Sequence, residues 1–344
     1  MAAPTLKDVA QRAGVSVRTV SNVVNGHVYV ADETRRRVQA AIDALGYRPN
    51  LLARNLKQGR SAIIGLVVPE LDVPYFAELA RLIIAEAREH GYTVLIDQTD
   101  GDEERERELI GDNSRAVNFD GLIVSPLSLA VSDLRARRSD TPVVLLGERI
   151  FDSDADHVAI DNVLAAREAT EHLIGLGRTR IAAVGVQQNS GTANLRARGF
   201  TEAFRRSGQT VDESLLVSTE HYHRADGARA MAELLDRDVV PDAVFCFSDL
   251  LALGALREAL SRGLRVPEDL AIVGFDDIED GRYSTPSLTT VAPDKVRLAR
   301  FAVGQVLARI QGDQGASPRE IITPHQLEVR ESTAGKTAGA VGGG

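Results

Sequence analysis

From residue 61 onward, short runs of Val, Ile and Leu alternate with amphipathic segments, and the alternation comes in two successive sets. The spacing predicts strands over 63–68, 93–98, 121–125 and 143–146, then over 181–185, 214–218, 243–247 and 271–274. Helices are predicted over 75–90, 103–118, 162–176, 195–207, 224–236, 249–262 and 295–311. Strands that are apolar end to end and joined by helices belong to parallel sheets covered on both faces. Two such sets imply two lobes. The chain is expected to cross between them near 158–162 and 290–293, and once more near the end.

The chain has 344 residues, enough for two or three domains. Its longest apolar stretch, 62–68, is interrupted by Gly65 and ended by Pro69, far short of the roughly 18 residues a membrane span needs. The N-terminus has no basic start followed by an apolar run, so a secretory signal is not expected and a cytoplasmic location is. The single cysteine, Cys246, permits neither an internal disulfide nor a cysteine zinc cluster.

The net charge of −9 is unevenly spread. Residues 1–60 carry ten Lys and Arg against four acids, a net of +6, which leaves −15 on the rest. A small basic head on an acidic body suits a DNA-reading module joined to something else. In that head, Thr5 caps a helix over 6–13, with Asp8 closing a short capping box, and Gly14 breaks it. Ser16 caps a second helix over 17–24. A third opens at Asp32 and ends at Gly46. Two short helices joined by a tight Ala-Gly-Val-Ser turn read as helix-turn-helix, whose second helix enters the major groove. Its outward positions are Val17, Arg18, Ser21 and Asn22. Arg18 can make a bidentate contact to guanine, Asn22 to adenine, and Val17 can touch a thymine methyl. Ser16, Thr19 and Asn25 suit phosphates. Residues 49–56 contain good helix formers behind Pro49, but the segment is too short to be a stable helix alone.

The runs TLKDVAQRAGVSVRTVSNVVNG and GYRPNLLARNLKQGRS resemble the DNA-binding head of the LacI/GalR (lactose/galactose repressor) family without a gap over 5–61. Asn22 departs from that pattern, standing where many members carry arginine. The resemblance implies DNA contacts from Thr5, Tyr47, Asn50, Ala53 and Arg54. It also implies that 49–56 is a hinge helix that orders in the minor groove, with Leu56 as the apolar wedge in the central base step.

Ligands of open α/β sheets sit beyond the carboxyl ends of the strands. That rule selects Asp72, Pro74, Tyr75, Phe76, Asp100, Ser125, Asn189, Arg196, Tyr222, Ser248, Asp249 and Asp276, of which Tyr75, Phe76, Asp100, Ser125, Arg196, Tyr222, Ser248 and Asp276 are the expected effector set. Aromatic rings, carboxylates and an arginine facing one cleft suit a polyhydroxylated ligand. In the family, Arg196 of LRARGF and Asp276 of GFDD match effector-contacting positions. Tyr222 matches an aromatic platform, and Tyr75–Phe76 match the ring-stacking pair of purine-type members. Ser248 replaces a common asparagine, and Gly147 stands where some members place a carboxylate, beside Glu148. Asp249 is read either as a ligand contact or as the cap of the following helix, and Asp277 as a turn residue.

Enzyme signatures are weak. No G-x-G-x-x-G follows a strand, no G-x-S-x-G occurs, and the AGKT at 334–337 lacks the upstream glycine of a phosphate loop. His221 and His223 lack an evident third metal ligand. The sequence therefore predicts an α/β protein with an all-α helix-turn-helix head and a two-lobed, periplasmic-binding-protein-like parallel-sheet body. The expected domains are 1–48 (head), 49–60 (hinge and linker), 61–160 with 292–322 (first lobe), 161–291 with 323–331 (second lobe) and 332–344 (disordered tail). The expected activity is that of a homodimeric transcriptional repressor with no enzyme activity, metal or cofactor. Its partners are double-stranded DNA with a near-palindromic operator and a small effector, a sugar in preference to a purine or nucleoside. No membrane partner is expected, and no leucine heptad follows residue 330 to build a coiled-coil tetramer.

Overall fold

The computed structural model describes residues 4–24, 29–47, 61–111, 118–147, 153–187, 191–313 and 317–334. The chain divides into two compact units, a head up to residue 62 and a body from residue 63.

Among the described residues, the head holds three helices, α1 (Leu6–Ala13), α2 (Val17–Val24) and α3 (Asp32–Leu45). Thr5 accepts from the Asp8 amide, and Asp8 accepts from the Thr5 amide in return. Two of the helix's orphan donors are thereby satisfied. Gly14 ends α1 at φ +63°, a left-handed conformation that would strain any side chain. Ser16 Oγ accepts from the Thr19 amide at 3.1 Å and caps α2. Val9, Val20 and Val38, one from each helix, are fully buried at the centre of the head.

Among the described residues, the body contains two six-stranded sheets. The first lobe is built from β1 (Ile63–Val68), α4 (Pro74–Glu89), β2 (Thr93–Gln98), α5 (Glu103–Ile110), β3 (Gly121–Val124), α6 (Val131–Arg135), β4 (Val143–Leu146) and β5 (Asp156–Ile160). The second comprises α7 (Asn162–Gly175), β6 (Ile181–Val186), α8 (Gly191–Arg206), β7 (Leu216–Ser218), α9 (Arg224–Leu235), β8 (Ala243–Cys246), α10 (Asp249–Ser261), β9 (Ala271–Phe275), α11 (Glu279–Tyr283) and β10 (Thr289–Pro293). The chain then returns to the first lobe through α12 (Lys295–Ile310) and β11 (Glu320–Thr323), and the described residues close in the second with β12 (His325–Glu328) and α13 (Glu331–Ala334). The strand orders are β11-β5-β4-β3-β1-β2 and β12-β10-β9-β8-β6-β7, parallel except for the β10–β12 pair. The inner strands β3, β4, β8 and β9 are buried at every residue, as sheets covered on both faces require, whereas the edge strand β2 is half exposed.

Several expectations change. The crossover regions 158–162 and 290–293 largely consist of strands, β5 and β10, that pattern reading misses. Both are short runs mixed with polar residues (Asp156, His157, Thr289, Thr290) that become buried on pairing. Residues 292 and 293 lie in the second sheet and Thr323 in the first, so those expected lobe boundaries move. The strand expected from 214 begins as a 3-10 turn over Glu213–Leu215 and is extended only over Leu216–Ser218. The helix expected to reach 118 ends at Ile110. The tail expected to be disordered from 332 starts with helix α13, whose Ser332 hydroxyl donates to Ile272 O at 2.6 Å and accepts from the Thr289 amide at 2.8 Å. Buried backbone groups of β9 and β10 thus find their partners in this last turn. Among the described residues no helix is long and apolar enough to cross a membrane.

Candidate functional site

In the head, α2 presents Val17 and Arg18 to solvent, with Val17 at 44% exposure. Exposed valine at the start of a helix contributes nothing to the head's core, so it is available for contact. Ser21 and Asn22 lie half-buried one turn on. The Ser16 and Thr19 hydroxyls bond each other at 2.8 Å beside the α2 N-terminus. The exposed Thr5 is held in its capping box. Tyr47 is half-buried against the head core. Asn25, Asn50, Ala53, Arg54 and Leu56, with the hinge helix expected over 49–56 and its linker to 60, lie outside the described residues. One residue not singled out by sequence is Arg37 of α3. Its guanidinium donates to Ala13 O at 2.7 Å and Gly14 O at 3.3 Å, placing a cation on the carbonyl end of α1. It was hidden in the run Arg35–Arg36–Arg37, which reads as a solvated face.

In the body, one cavity lies between the two sheets, at the carboxyl ends of their strands. It is lined by seven of the eight expected positions, Tyr75, Phe76, Ser125, Arg196, Tyr222, Ser248 and Asp276. Asp100 is the exception. It is exposed in a left-handed turn, φ +55°, and accepts from the Gln98 side chain outside the cavity. The carboxyl-end rule selects a strand's end but not the direction of the loop that leaves it.

Pro74 starts α4, and the next two residues form an edge-to-face pair of rings, centroids 5.2 Å apart. Opposite them, Tyr222 donates its hydroxyl to Gly185 O at 2.7 Å. Burial raises its phenol pKa, so Tyr222 stays neutral and offers its ring to the cleft. Ser248 caps α10 by accepting from the Leu251 amide at 3.2 Å, so that acceptor role is already filled.

Arg196 and Asp276 form the polar floor. Arg196 of α8 is 8% exposed. Its Nε donates to Asn162 Oδ1 at 2.7 Å, Nη1 donates to Phe247 O, and its plane lies over the Phe275 ring, 3.5 Å from the centroid. Fixed on three sides, it aims Nη2 towards Asp276 Oδ1 at 3.9 Å, too far for a direct hydrogen bond. Asp276 sits at φ +111°, a conformation that costs a non-glycine residue about 1–3 kcal/mol. Burial pushes its pKa up to about 6, against the opposing pull of Arg196 and Lys295. A fixed donor beside a fixed, strained acceptor can bind two adjacent hydroxyls, one accepting from Arg196 and the other donating to Asp276.

Asp249 neither lines the cavity nor caps α10, whose cap is Ser248. It is fully buried and accepts from the Ile278 amide at 2.9 Å and Thr290 Oγ1 at 2.6 Å. Gly274 makes room for it, since a Cβ there would lie 2.1 Å from Asp249 Oδ1. Asp277 pairs with Arg282 and Arg330, which hold its carboxyl below the usual range despite its burial. Sequence reasoning missed Asn162, Glu70 and His223 as cavity residues. The last two meet across the cleft, His223 Nε2 to Glu70 Oε2 at 2.6 Å. Among the described residues no cluster suits a metal ion.

Residues 5–50 match the family model for bacterial regulatory proteins of the lacI family, and residues 170–333 match the periplasmic binding protein-like domain. The chain is 35% identical over 332 residues to the HTH-type transcriptional repressor CytR of Escherichia coli K12, covering 96% of each protein. It resembles the solved transcriptional regulator CelR–cellobiose complex at 33% identity and a TM-score of 0.70, over 96% of this chain and 99% of that one. It also resembles the lac repressor dimer bound to operator and the anti-inducer ONPF at 28% identity and a TM-score of 0.85, over 97% of this chain and all of that one. The chain therefore belongs to the lacI family of bacterial regulatory proteins, and it is a DNA-binding, ligand-responsive transcriptional regulator rather than an enzyme.

Proposed function

We propose that the protein is a homodimeric repressor whose operator binding is controlled by a sugar held between the lobes. The observation that carries the effector class is the Arg196–Asp276 pair, a buried donor beside a half-buried acceptor with hydrogen-bonding capacity left over, facing aromatic rings across the cleft. An unsatisfied buried polar group costs about 1–3 kcal/mol, so a ligand of this cleft must both accept from Arg196 and donate to Asp276. Adjacent sugar hydroxyls fill both roles while the ring's apolar face lies against Tyr222 or the Tyr75–Phe76 pair. The cellobiose in the CelR complex and the operator-bound lac repressor dimer support this reading by likeness. Arg18 and Asn22 read bases in each half of a two-fold operator, with Thr5, Ser16, Val17, Thr19, Ser21, Asn25 and Tyr47 completing the head's contacts. The 49–60 segment acts as the hinge, with Asn50, Ala53, Arg54 and Leu56 in the minor groove.

The test has two parts. Selection of genomic fragments by the full-length protein identifies the operator. Calorimetric titration with D-ribose, D-galactose, cellobiose, cytidine, adenosine and hypoxanthine then identifies the effector class. We expect at least one free sugar to bind and to change operator affinity. Binding by hypoxanthine or the nucleosides alone would overturn the sugar reading. Failure to retain any duplex at modest salt, with or without these compounds, would overturn the proposal altogether.

A further inference from the structure

The cavity residues do not explain how an aromatic wall in one lobe and a carboxylate in the other keep their spacing. Lys295 does not line the cavity, yet it touches the support of both. It is the first residue of α12, where the chain re-enters the first lobe after β10, and its position is fixed by Asp294, which caps the helix by accepting from the Arg297 amide at 2.9 Å. Lys295 is 6% exposed. Its ammonium donates to Asp276 O at 2.9 Å and Asp277 O at 3.0 Å, and pairs with Glu78 of α4. It also lies 5.9 Å from the Tyr75 ring centroid. One ammonium therefore joins the helix bearing Tyr75 and Phe76 to a turn in which two consecutive non-glycine residues have positive φ, +111° and +48°. Such backbone persists only where its surroundings hold it.

We propose that Lys295 is the positioning residue of the effector site, holding the Asp276–Asp277 turn of the second lobe against α4 of the first so that the reading carboxylate and the aromatic wall stay in register. The inference rests on the assignment of Asp276 as an effector contact. The three donors of an ammonium are matched by its three acceptors, two carbonyls in one lobe and a carboxylate in the other. A change in lobe angle must stretch at least one of these bonds, so the spacing of the site and the angle of the lobes are mechanically linked through this residue. Two cations pull on the Asp276 carboxyl, Arg196 of α8 and Lys295 of α12, and Asp276 in turn acts on Tyr222 and on the buried Asp249, which Asp277 also influences. Glu78 faces Lys295 from α4.

The experiment uses the full-length protein without ligand. Carboxyl-carbon NMR follows the titration of Asp276, and spin labels on Glu104→Cys of α5 and Arg257→Cys of α10, both exposed, report the distance between lobes. In Lys295→Met we expect the Asp276 midpoint to rise by about half a unit or more, because a nearby cation is lost. We also expect the inter-lobe distance distribution to broaden. Lys295→Arg should restore both towards the parent. Glu78→Gln keeps the carbonyl contacts and should broaden the distances while leaving the Asp276 midpoint nearly in place. This variant and Lys295→Arg carry the test should Lys295→Met fail to fold. Parent-like midpoints and distances in Lys295→Met would overturn the proposal, as would parent-like distances in Glu78→Gln. Both readouts are ligand-free, so a cleft that binds no sugar would overturn the effector reading while leaving this result in place.

Discussion

Replacing Asp276 with asparagine should stabilise the ligand-free protein while removing its response to effector. Asp276 is largely withdrawn from solvent, with 15% of its side chain exposed, its carboxylate makes no short hydrogen bond to Arg196, and its pKa rises from 3.8 to about 6. A carboxyl whose folded pKa exceeds its unfolded one opposes folding when ionised. The opposition is full above about 6, fades as the pH falls, and is gone below the unfolded value. A shift of about two units corresponds to about 3 kcal/mol at pH 7.5, and the same linkage leaves about 1.5 kcal/mol at pH 5. Asparagine removes the charge, keeps the size, and is among the residues that best tolerate positive φ, so the strained turn is little altered. Urea unfolding followed by circular dichroism at both pH values measures the difference. We expect Asp276→Asn to be more stable than the parent by about 3 kcal/mol at pH 7.5 and by about half that at pH 5. Effector affinity in the parent should fall as the pH drops through about 6, because a protonated Asp276 no longer accepts as a carboxylate. A variant no more stable than the parent at pH 7.5, or one with the same gain at both pH values, would refute the reasoning.

Three further outcomes follow from the structure. Arg18→Ala should weaken specific operator binding by about 1–3 kcal/mol, roughly 5- to 150-fold, with a smaller effect on non-specific duplex in mobility-shift titrations. Arg37→Met removes the cation from the end of α1 and should destabilise the head by about 1 kcal/mol, visible as faster amide exchange in α1 and α2. The Glu70 carboxylate raises the pKa of His223 above its ordinary 6.5, so their attraction is complete below that value and is lost as the pH rises through the raised one. In Glu70→Gln, imidazole NMR should show the His223 midpoint falling, and an unchanged midpoint would remove Glu70 as the cause.

Sequence by itself determined the parts governed by local chemistry. The head's three helices fall where Thr5, Gly14, Ser16, Asp32 and Gly46 place them, because capping and left-handed turns depend on a few adjacent residues. The apolar runs of the inner strands are equally local, since burial on both faces of a parallel sheet leaves no polar residue to blur the signal. Seven of the side chains that line the cleft were selected by a rule about strand ends. What tertiary structure decided depended on partners distant in sequence. The strands β5, β10, β11 and β12 carry polar residues that become strand-like only when paired, and the last turn of chain is fixed by bonds from Ser332 to β9 and β10. Asp100 and Asp249 are both carboxylates next to strand or helix ends, and only the path of the loops sends one to solvent and the other into the core. The role of Lys295 arises from Glu78, Asp276 and Asp277 converging on one ammonium, a placement set by the packing of α12 and α4 that no local pattern records.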